Sequence, residues 1–368
     1  MFQQFLSRVW RALVAHLDVP LLLITAALMV VGLVTVYSAT YDANNRMLAQ
    51  VLNMAIGLCA MWAVAQLPPQ KLMRFGVPLY AVGLILLVLV YFFGIKVNGA
   101  RRWLSLGFTR IQPAEILKIA VPLMLAWYFH RHEALLKFRH YAIASLLLLV
   151  PFALIAKQPD LGTAILVGAA GFYVIFFAGV SWWLIGGLVA VAAGAAPFVW
   201  TMLHDYQRKR ILTLIDPATD PLGAGYHIIQ STIAIGSGGN FGKGWLAGTQ
   251  THLEFIPERH TDFILAVFSE ERGLLGNGIL LLLYLLLIGR GLMIAANAST
   301  LFARVMAGSV TLSLFTYVFV NMGMVSGILP VVGVPLPFMS YGGTALVTLS
   351  VGVGILMSIH THRMLVRT

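Results

Sequence analysis

Long uninterrupted apolar runs, separated by short charged connections, dominate the hydrophobic pattern of this chain. Residues 19–38 form a charge-free run of 20 residues, and two further charge-free runs, residues 161–204 and 305–360, are 44 and 56 residues long. A helix needs about 20 apolar residues to cross the hydrocarbon core of a bilayer. The runs follow neither a heptad nor a Gly-X-Y repeat, so they predict membrane-spanning helices and exclude coiled coils and collagen.

The runs predict about ten transmembrane helices. The two longest runs each hold two helices, because the first is interrupted at residues 179–181 and the second at the proline- and glycine-rich residues 330–343. The other predicted spans are 19–38, 47–70, 75–95, 112–129, 141–156 and 273–289. The span at 112–129 is long enough only if Glu115 and Lys118 lie at membrane depth. A nine-helix alternative places that segment in the interface.

Composition supports the same class of protein. The 368 residues are 60% hydrophobic and 10% charged, and their mean hydropathy is +0.88. Soluble domains are about 25% charged, so this chain lacks the polar residues for a water-soluble shell. We therefore predict an all-α polytopic integral membrane protein that forms one domain over residues 1–368.

Lysine and arginine positions predict the orientation. With the N-terminus inside, eleven of these residues fall in cytoplasmic positions, namely Arg8, Arg11, Lys71, Arg74, Arg131, Lys137, Arg139, Arg290, Arg304, Arg363 and Arg367. Six fall in short outer loops, namely Arg46, Lys96, Arg101, Arg102, Arg110 and Lys157. The excess favours an N-in, C-in topology, and the first run is too long for a cleavable signal peptide.

The cysteine content and the net charge indicate which binding partners to expect. The single Cys59 lies within a predicted span, so a disulfide framework is not expected. The net charge of +11 is spread over many loops, which suits membrane lipid headgroups and topology better than nucleic acid. We expect membrane lipid, and no nucleic acid, among the binding partners.

A long outer connection, residues 204–262 between predicted spans 7 and 8, is the first candidate for chemistry. Connections of nearly 60 residues are far above the usual length and are usually functional or disordered. Aromatic and isoleucine residues argue against disorder here. Six of the chain's 13 acidic residues fall in it, namely Asp205, Asp216, Asp220, Glu254, Glu258 and Asp262.

Asp262 stands where this connection meets the apolar run that begins at Phe263. Pro257 is suited to the first position of a helix, which would place Glu258 and Asp262 one turn apart on one face. A carboxylate at the mouth of a membrane protein is partly desolvated, so its pKa rises towards that of a useful general base. The alternative is that both carboxylates only complement the helix dipole.

Glu115 and Lys118 are three residues apart, the spacing of an ion pair on one helix face. Charges within a membrane are costly and by default indicate a functional site. The alternative is a structural pair that fixes helix packing. Asp160, where a helix restarts after Pro159, belongs to a further charged group expected at the outer level.

Two basic segments complete the candidate site. Arg102 and Trp103 combine a cation with an aromatic ring in an outer loop, and Gln207 and Arg210 lie in a second basic patch. Such groups suit a phosphate or pyrophosphate headgroup. Ordinary contact with lipid headgroups is the alternative for both segments.

Several long motifs resemble the SEDS (shape, elongation, division, sporulation) family. Residues 255–263 read Phe-Ile-Pro-Glu-Arg-His-Thr-Asp-Phe, and the resemblance continues through residues 112–118, 158–163, 216–227 and 327–343. It covers nearly the whole chain. Residues 204–207 and 358–362 resemble the elongation branch of the family, while the division paralogue (FtsW-like) is the close alternative.

The resemblance implies a ten-helix glycosyltransferase of the bacterial inner membrane that polymerises lipid II into glycan strands at the extracytoplasmic face. It also implies a class B penicillin-binding transpeptidase as partner, within a rod-shape complex of membrane and cytoskeletal components. The family's candidate catalytic aspartate falls on Asp262, and the family's fourth-helix Glu and Lys fall on Glu115 and Lys118.

One mechanism joins the residues with that resemblance. Converting an α-linked donor into a β-linked product needs one in-line displacement and so one base, for which we predict Asp262. Lys118, Arg102 or Arg210 would stabilise the leaving pyrophosphate, with Glu115 holding Lys118. A divalent cation, Mg²⁺ or Mn²⁺, would do the same with Glu254, Glu258 or at most Asp262 as ligand, although the sequence shows no dedicated ligand set.

Two functions of other classes remain open at this point. A lipid II flippase would also use intramembrane charges and broken helices, but alternating access usually appears as repeated halves, and the sequence shows no convincing internal repeat. A non-catalytic scaffold for the transpeptidase would tolerate replacement of the outer acidic residues without loss of polymer.

Overall fold

The computed structural model of the chain describes residues 15–40, 44–97, 100–105, 110–202, 205–217, 220, 223–253, 255–256 and 258–362. The first half forms seven long helices: α1 (Val19–Thr40), α2 (Asn44–Ala65), α3 (Pro69–Phe93), α4 (Pro113–Arg131), α5 (Phe138–Ala156), α6 (Leu161–Phe177) and α7 (Trp182–Met202). The second half contains α8 (Asp205–Ile215), α9 (Ala224–Ser237), α10 (Thr249–His252), α11 (Ile264–Ala296), α12 (Leu301–Val325) and α13 (Gly343–Thr361).

The helices form where the sequence pattern predicted spans. Seven described helices are long and apolar enough to cross a membrane, namely α1, α2, α3, α5, α11, α12 and α13. The apolar stretches of α6 and α7 are shorter, and α4 carries Glu115 and Lys118. Outward-facing apolar side chains such as Phe93 (74% exposed) and Trp183 (93% exposed) suit lipid as solvent. The exact number of crossings and their orientation stay predictions.

Both predicted interruptions of the long runs are present. Helix α6 ends at Phe177 and α7 begins at Trp182, with Gly179 in the left-handed region at φ 96°. Between α12 and α13, residues 326–342 form no regular helix. We call residues 330–342 the proline-rich segment. Its prolines remove backbone donors and so prevent one continuous helix.

A small antiparallel sheet stands where the sequence indicated only a basic loop. Strands β1 (Ile95–Val97), β2 (Ala100–Ser105) and β3 (Arg110–Ile111) pair in that order between α3 and α4. The segment is too short to show an alternating pattern above the surrounding apolar runs. The all-α class still describes the chain, because this sheet lies in a connection between helices.

Helix α12 lies at the centre of the bundle. It packs against α11, α6 and α4, while α13 packs along α2 and α3 packs along α4. Buried hydroxyls on α12 bond neighbouring backbone, as where Ser309 Oγ donates to Ala170 O at 2.7 Å. Such interhelical bonds are a normal source of stability where water is absent.

One end of the bundle is marked by a charged cluster. Arg290 near the end of α11 donates to Asp18 before α1 at 2.5 Å, and His360 near the end of α13 lies 3.3 Å from the same carboxylate. The starts of α11 and α13 therefore lie at the opposite end. The start of α6 lies at that end too, because Gly162 packs against the Val332 carbonyl before α13. The start of α4 lies beside it, because Gln112 bonds Asp160. We call this end of the bundle the site end.

Helix α11 contains one backbone break. Gly273 has φ 64° and ψ −162°, and a Cβ there would collide with Gly242 N, so only glycine fits. The amides of Leu274 and Leu275 donate instead to Gly239 O and Asn240 O, at 2.9 and 3.1 Å. Residues 239–240 thus supply acceptors that the helix itself lacks at the break.

Candidate active site

Asp262 lies at the site end, in the turn that leads into α11. Its side chain is partly exposed, while the following Phe263 and Ile264 are buried. A Cβ on Gly333 would lie 3.3 Å from Asp262 Oδ2, so the proline-rich segment passes close beside the carboxylate. Gly333 has φ 73°, a conformation that glycine adopts without strain.

Burial changes the acidity of this carboxylate. Desolvation, and secondarily the charge of Glu258, raise the pKa of Asp262 from 3.8 to about 6. A carboxyl group with a pKa near 6 is ionised at neutral pH and is a stronger base than an exposed aspartate. This is the property expected of a general base.

The predicted helix start at Pro257 is wrong. Pro257 lies outside the described residues, and residues 258–263 form turns, with α11 beginning at Ile264. Glu258 has φ 51° and accepts a bond from Thr261 Oγ1 at 2.9 Å. A non-glycine residue in the left-handed region interrupts a helix, so Glu258 and Asp262 share no helix face. They still lie close enough for the Glu258 charge to act on Asp262.

The Asp262 turn is held from two sides. Asn321 Nδ2, on the last turns of α12, donates to the Asp262 carbonyl at 2.8 Å. The backbone amide of Tyr341 donates to the His260 carbonyl at 2.8 Å. His260 also packs edge-on against the Tyr341 ring, 5.7 Å between centroids. The position of the carboxylate therefore depends on α12 and on the proline-rich segment.

Glu115 and Lys118 form the expected pair. Lys118 Nζ lies 2.6 Å from Glu115 Oε1, and both residues are buried. Lys118 Nζ also lies 5.1 Å from the centre of the Tyr317 ring. Beside it is a cavity of about 30 Å³, lined by residues that include Lys118, Ser313, Tyr317 and Thr348. Most of the other lining residues are apolar, so this small space lies between the ion pair and the hydrophobic core.

Arg102 and Asp160 form a second charged group at the site end. Arg102 Nη1 lies 3.8 Å from Asp160 Oδ1, and Arg102 also donates to the Pro159 carbonyl. Gln112, just before α4, donates to Asp160 Oδ2 at 3.1 Å. Asp160 itself caps α6 by accepting from Thr163 N at 3.3 Å. The β-sheet, α4 and α6 are thus joined at one carboxylate.

The proline-rich segment connects these groups with Asp262. A Cβ on Gly162, two residues after Asp160, would lie 2.7 Å from the Val332 carbonyl. Gly333, the residue after Val332, lies against the Asp262 carboxylate. The start of α6 and the Asp262 turn therefore contact the same short stretch of chain.

The other predicted residues are less well defined by the structure. Trp103 is half-buried on β2 and pairs with Ile95 in the sheet. Gln207 and Arg210 lie on α8, and their side chains are outside what the structure describes. Glu254 also lies outside the described residues. Roles for these four residues stay predictions.

The predicted divalent cation has no built site in the described part of the chain. Among those residues, no group of three or more His, Cys, Asp or Glu side chains could hold a metal ion. Glu258 accepts from Thr261 Oγ1, and the Asp262 carboxylate lies beside Gly333.

Two buried residues on α12, Tyr317 and Asn321, were not found from the sequence. They are four residues apart, so they lie on one face of the helix, towards Lys118 and Asp262 respectively. The only available signal was a polar side chain within the 56-residue uncharged run. Such residues are common in membrane helices as packing contacts, so the signal is weak.

Comparison with known proteins defines the class. The sequence model of the cell cycle protein family that groups FtsW, RodA and SpoVE matches residues 18–365. The chain belongs to this family, the SEDS family of polytopic membrane proteins. The motif resemblance in the sequence is thereby confirmed, as is the multi-pass helical fold.

Individual relatives are similar over nearly their full length. The chain is 56% identical to the peptidoglycan glycosyltransferase MrdB of Escherichia coli K12, covering 95% of this chain and 94% of that protein. It is 35% identical to the probable peptidoglycan glycosyltransferase FtsW of Geobacter metallireducens, covering 94% and 95%.

Solved structures agree with these sequence matches. A chain from a peptidoglycan synthase complex, described as coordinating polymerization and crosslinking, superposes with a TM-score of 0.81 at 36% identity, covering 93% of this chain and 97% of that chain. The rod shape determining protein RodA of Thermus thermophilus superposes with a TM-score of 0.71 at 31% identity, covering 93% and 96%.

Proposed function

We propose that this chain is a peptidoglycan glycosyltransferase that polymerises lipid II, with Asp262 as the general base. The observation that carries the proposal is the half-buried carboxylate at the site end, whose pKa is raised to about 6 chiefly by desolvation. The family relationship supplies the reaction class, because a relative that is 56% identical bears that name.

The reaction is one displacement at the anomeric carbon of the donor. The 4-hydroxyl oxygen of the acceptor sugar forms a bond to that carbon while the bond from carbon to the pyrophosphate oxygen breaks. The hydroxyl proton passes to Asp262, and the pyrophosphate-linked lipid leaves with the electron pair. One displacement inverts the α-linked donor to a β-linked product, so a single base is sufficient.

Positive charge near the site would stabilise the leaving pyrophosphate. Lys118 is buried and held by Glu115 at 2.6 Å, while Arg102 is held by Asp160 and the Pro159 carbonyl. Cations fixed in a desolvated site stabilise a developing negative charge without reorganising during the reaction. Arg210 and Gln207, whose backbone lies on α8, are proposed as further contacts to the same headgroup.

The same proposal sets the location and partners. We infer an N-in, C-in chain of ten spans in the bacterial inner membrane, with the site end at the extracytoplasmic face, where lipid II is polymerised. A class B penicillin-binding transpeptidase is the proposed partner, within a rod-shape complex of membrane and cytoskeletal proteins. The similarity to a synthase complex that couples polymerization and crosslinking supports the transpeptidase.

Elongation is the proposed cellular role. Identity to E. coli MrdB is 56%, against 35% for the FtsW of G. metallireducens. Similarity to the Thermus thermophilus rod shape determining protein supports the same branch. The FtsW-like alternative would use the same site chemistry.

The decisive experiment compares wild type with Asp262→Asn, each purified with the class B transpeptidase and supplied with lipid II. The substitution keeps the size of the side chain and removes the base. We expect glycan strands from wild type and none from Asp262→Asn, with unchanged partner binding. Glu133→Gln is the matched control and should keep wild-type activity, because Glu133 is an exposed carboxylate just beyond the other end of α4.

Each alternative function has its own outcome in this assay. If Asp262→Asn makes normal amounts of polymer, Asp262 is not the base and only complements the helix dipole. If the complex keeps its polymer yield after all the outer acidic residues are replaced, the chain is a non-catalytic scaffold. If wild type forms no glycan but moves lipid II across a vesicle membrane, the flippase interpretation replaces the enzyme.

A further inference from the structure

We propose that Asn321 is a positioning residue that sets the place of the Asp262 carboxylate by holding the Asp262 backbone carbonyl. The inference rests on the proposed role of Asp262 as general base. Asn321 contacts no reacting atom in the proposed mechanism, so it would act only through Asp262.

The Asn321 amide uses its nitrogen for two hydrogen bonds, while its Oδ1 is buried without a hydrogen-bond partner among the described residues. The residue is 0% exposed, and its Nδ2 donates to the Asp262 carbonyl at 2.8 Å and to the Val334 carbonyl at 2.7 Å. A primary amide has two N–H donors, and both are used here. The flipped orientation would place Oδ1 against two carbonyl oxygens, so the assignment of the donor follows from the contacts.

The two carbonyls belong to the two segments that form the site. Asp262 lies in the turn before α11, and Val334 follows Gly333, whose Cα lies beside the Asp262 carboxylate. One side chain on α12 therefore fixes both the carboxylate-bearing turn and the adjacent wall. Within the described part of the chain, the side chain that bonds the Asp262 backbone is that of Asn321.

Tyr341 provides a second tether that a side-chain change cannot remove. Its backbone amide holds the His260 carbonyl at 2.8 Å. Removing the Asn321 bonds would therefore release the turn at Asp262 while leaving it attached at His260. We expect a local displacement of the carboxylate and not a loss of the whole segment.

Charged groups around Asp262 define what its titration reports. Glu258, in the same turn, acts on Asp262 directly. His227 on α9 and His260 both face Glu258, and Arg46 on α2 faces His260. Among the described residues, the hydrogen bonds of Asn321 go to the carbonyls of Asp262 and Val334 and not to these charged groups. A change in the acid limb when a neutral residue replaces Asn321 therefore reports the position and solvation of Asp262.

Asn321→Asp is the first test variant. It keeps the shape of the side chain but supplies at most one donor, so at least one of the two carbonyls loses its bond. A displacement of about 1 Å at a catalytic group can cost on the order of 100-fold in rate. We expect kcat to fall at least about 10-fold with KM within about 2-fold of wild type.

The pH profile is tested with Asn321→Ser, because the new carboxyl group of Asn321→Asp would itself titrate and would act on Asp262. If the turn moves towards water, desolvation of Asp262 decreases and the acid limb of kcat moves to lower pH. A merely structural defect would lower the amount of active protein at every pH without moving the limb.

Ser309→Ala is the matched control. Ser309 is also fully buried on α12, about three turns from Asn321, and its hydroxyl donates to the Ala170 carbonyl at 2.7 Å. The control removes a comparable buried bond far from Asp262. We expect wild-type kcat and an unchanged acid limb.

The experiment measures kcat, KM and the pH profile of lipid II polymerisation for the purified complex of each variant. Asn321→Ser, which retains one donor, is measured alongside and replaces Asn321→Asp should that variant fail to fold. The inference would be overturned by a folded Asn321 variant with wild-type kcat and an unchanged acid limb. The proposed function would still stand in that case, provided that wild type is active and Asp262→Asn is inactive. If wild type itself makes no glycan, both the inference and the proposed function are wrong.

Discussion

Replacing Glu258 with glutamine should make the enzyme less sensitive to acid. The Glu258 carboxylate is exposed and raises the pKa of Asp262 through its negative charge. Glutamine removes that charge and keeps an oxygen that can accept the bond from Thr261 Oγ1. The pKa of Asp262 should therefore fall, and Asp262 should stay ionised to lower pH.

The size of the effect follows from the order of the two causes. Desolvation is the larger cause of the rise from 3.8 to about 6, so the Glu258 charge accounts for less than half of it. Glu258→Gln should lower the pKa of Asp262 by less than about 1. At pH 5 the ionised fraction would rise from about one-tenth to at most about one-half, a rate increase of up to about 5-fold. At pH 7.5 the rates should be nearly equal.

The assay is lipid II polymerisation by the purified complex between pH 4.5 and 8, at low salt and at about 0.5 M salt. Because the Glu258 charge is exposed, salt should screen it and move the wild-type acid limb towards that of Glu258→Gln. Glu133→Gln controls for the loss of one exposed carboxylate. An acid limb that stays in place in Glu258→Gln, or moves to higher pH, would refute the reasoning.

Three further outcomes follow from the buried charges and the helix break. Glu115→Gln alone or Lys118→Met alone should cost about 3–5 kcal/mol of stability, because each leaves a buried charge without its partner. The double variant Glu115→Gln/Lys118→Met should recover stability in thermal melts without recovering polymerisation. Equal stability of the single variants, the double variant and wild type would contradict this. Gly273→Ala should abolish a monodisperse fold in size-exclusion chromatography, because its Cβ would collide with Gly242 N; Gly278→Ala, with open space around its Cβ, is the control. Because the folded-state pKa of Asp262 lies above its ordinary value, wild type loses stability as pH rises from 3.8 through 6, so Asp262→Asn should raise the melting temperature at pH 8 and not at pH 4.

The positions of the helices could be predicted from sequence because uncharged runs directly reflect the length of a membrane span. The break at residues 179–181 and the non-helical proline-rich segment were predictable for the same reason, since glycine and proline act locally. The Glu115–Lys118 pair also depends only on spacing along one helix, and the structure places it at 2.6 Å.

The parts that could not be predicted depend on contacts between distant segments. Glu258 adopts a left-handed conformation within a turn held by the backbone of Tyr341 and by Asn321, so local helix signals at Pro257 were overridden. Arg102 meets Asp160 across 58 positions of sequence. Asn321 is one of several polar residues in its run, and nothing local distinguishes it from a packing contact.

The break in α11 has a consequence for the order in which the protein is assembled. The amides of Leu274 and Leu275 take their acceptors from Gly239 and Asn240, which precede them in the chain. An amide left unpaired in an apolar environment costs several kcal/mol. Synthesis supplies the acceptors before the donors, so the segment around residues 239–240 can serve as a template on which the following helix is completed. Exchanging that segment for a flexible linker would therefore impair membrane integration of α11, even though every residue of the helix itself were kept.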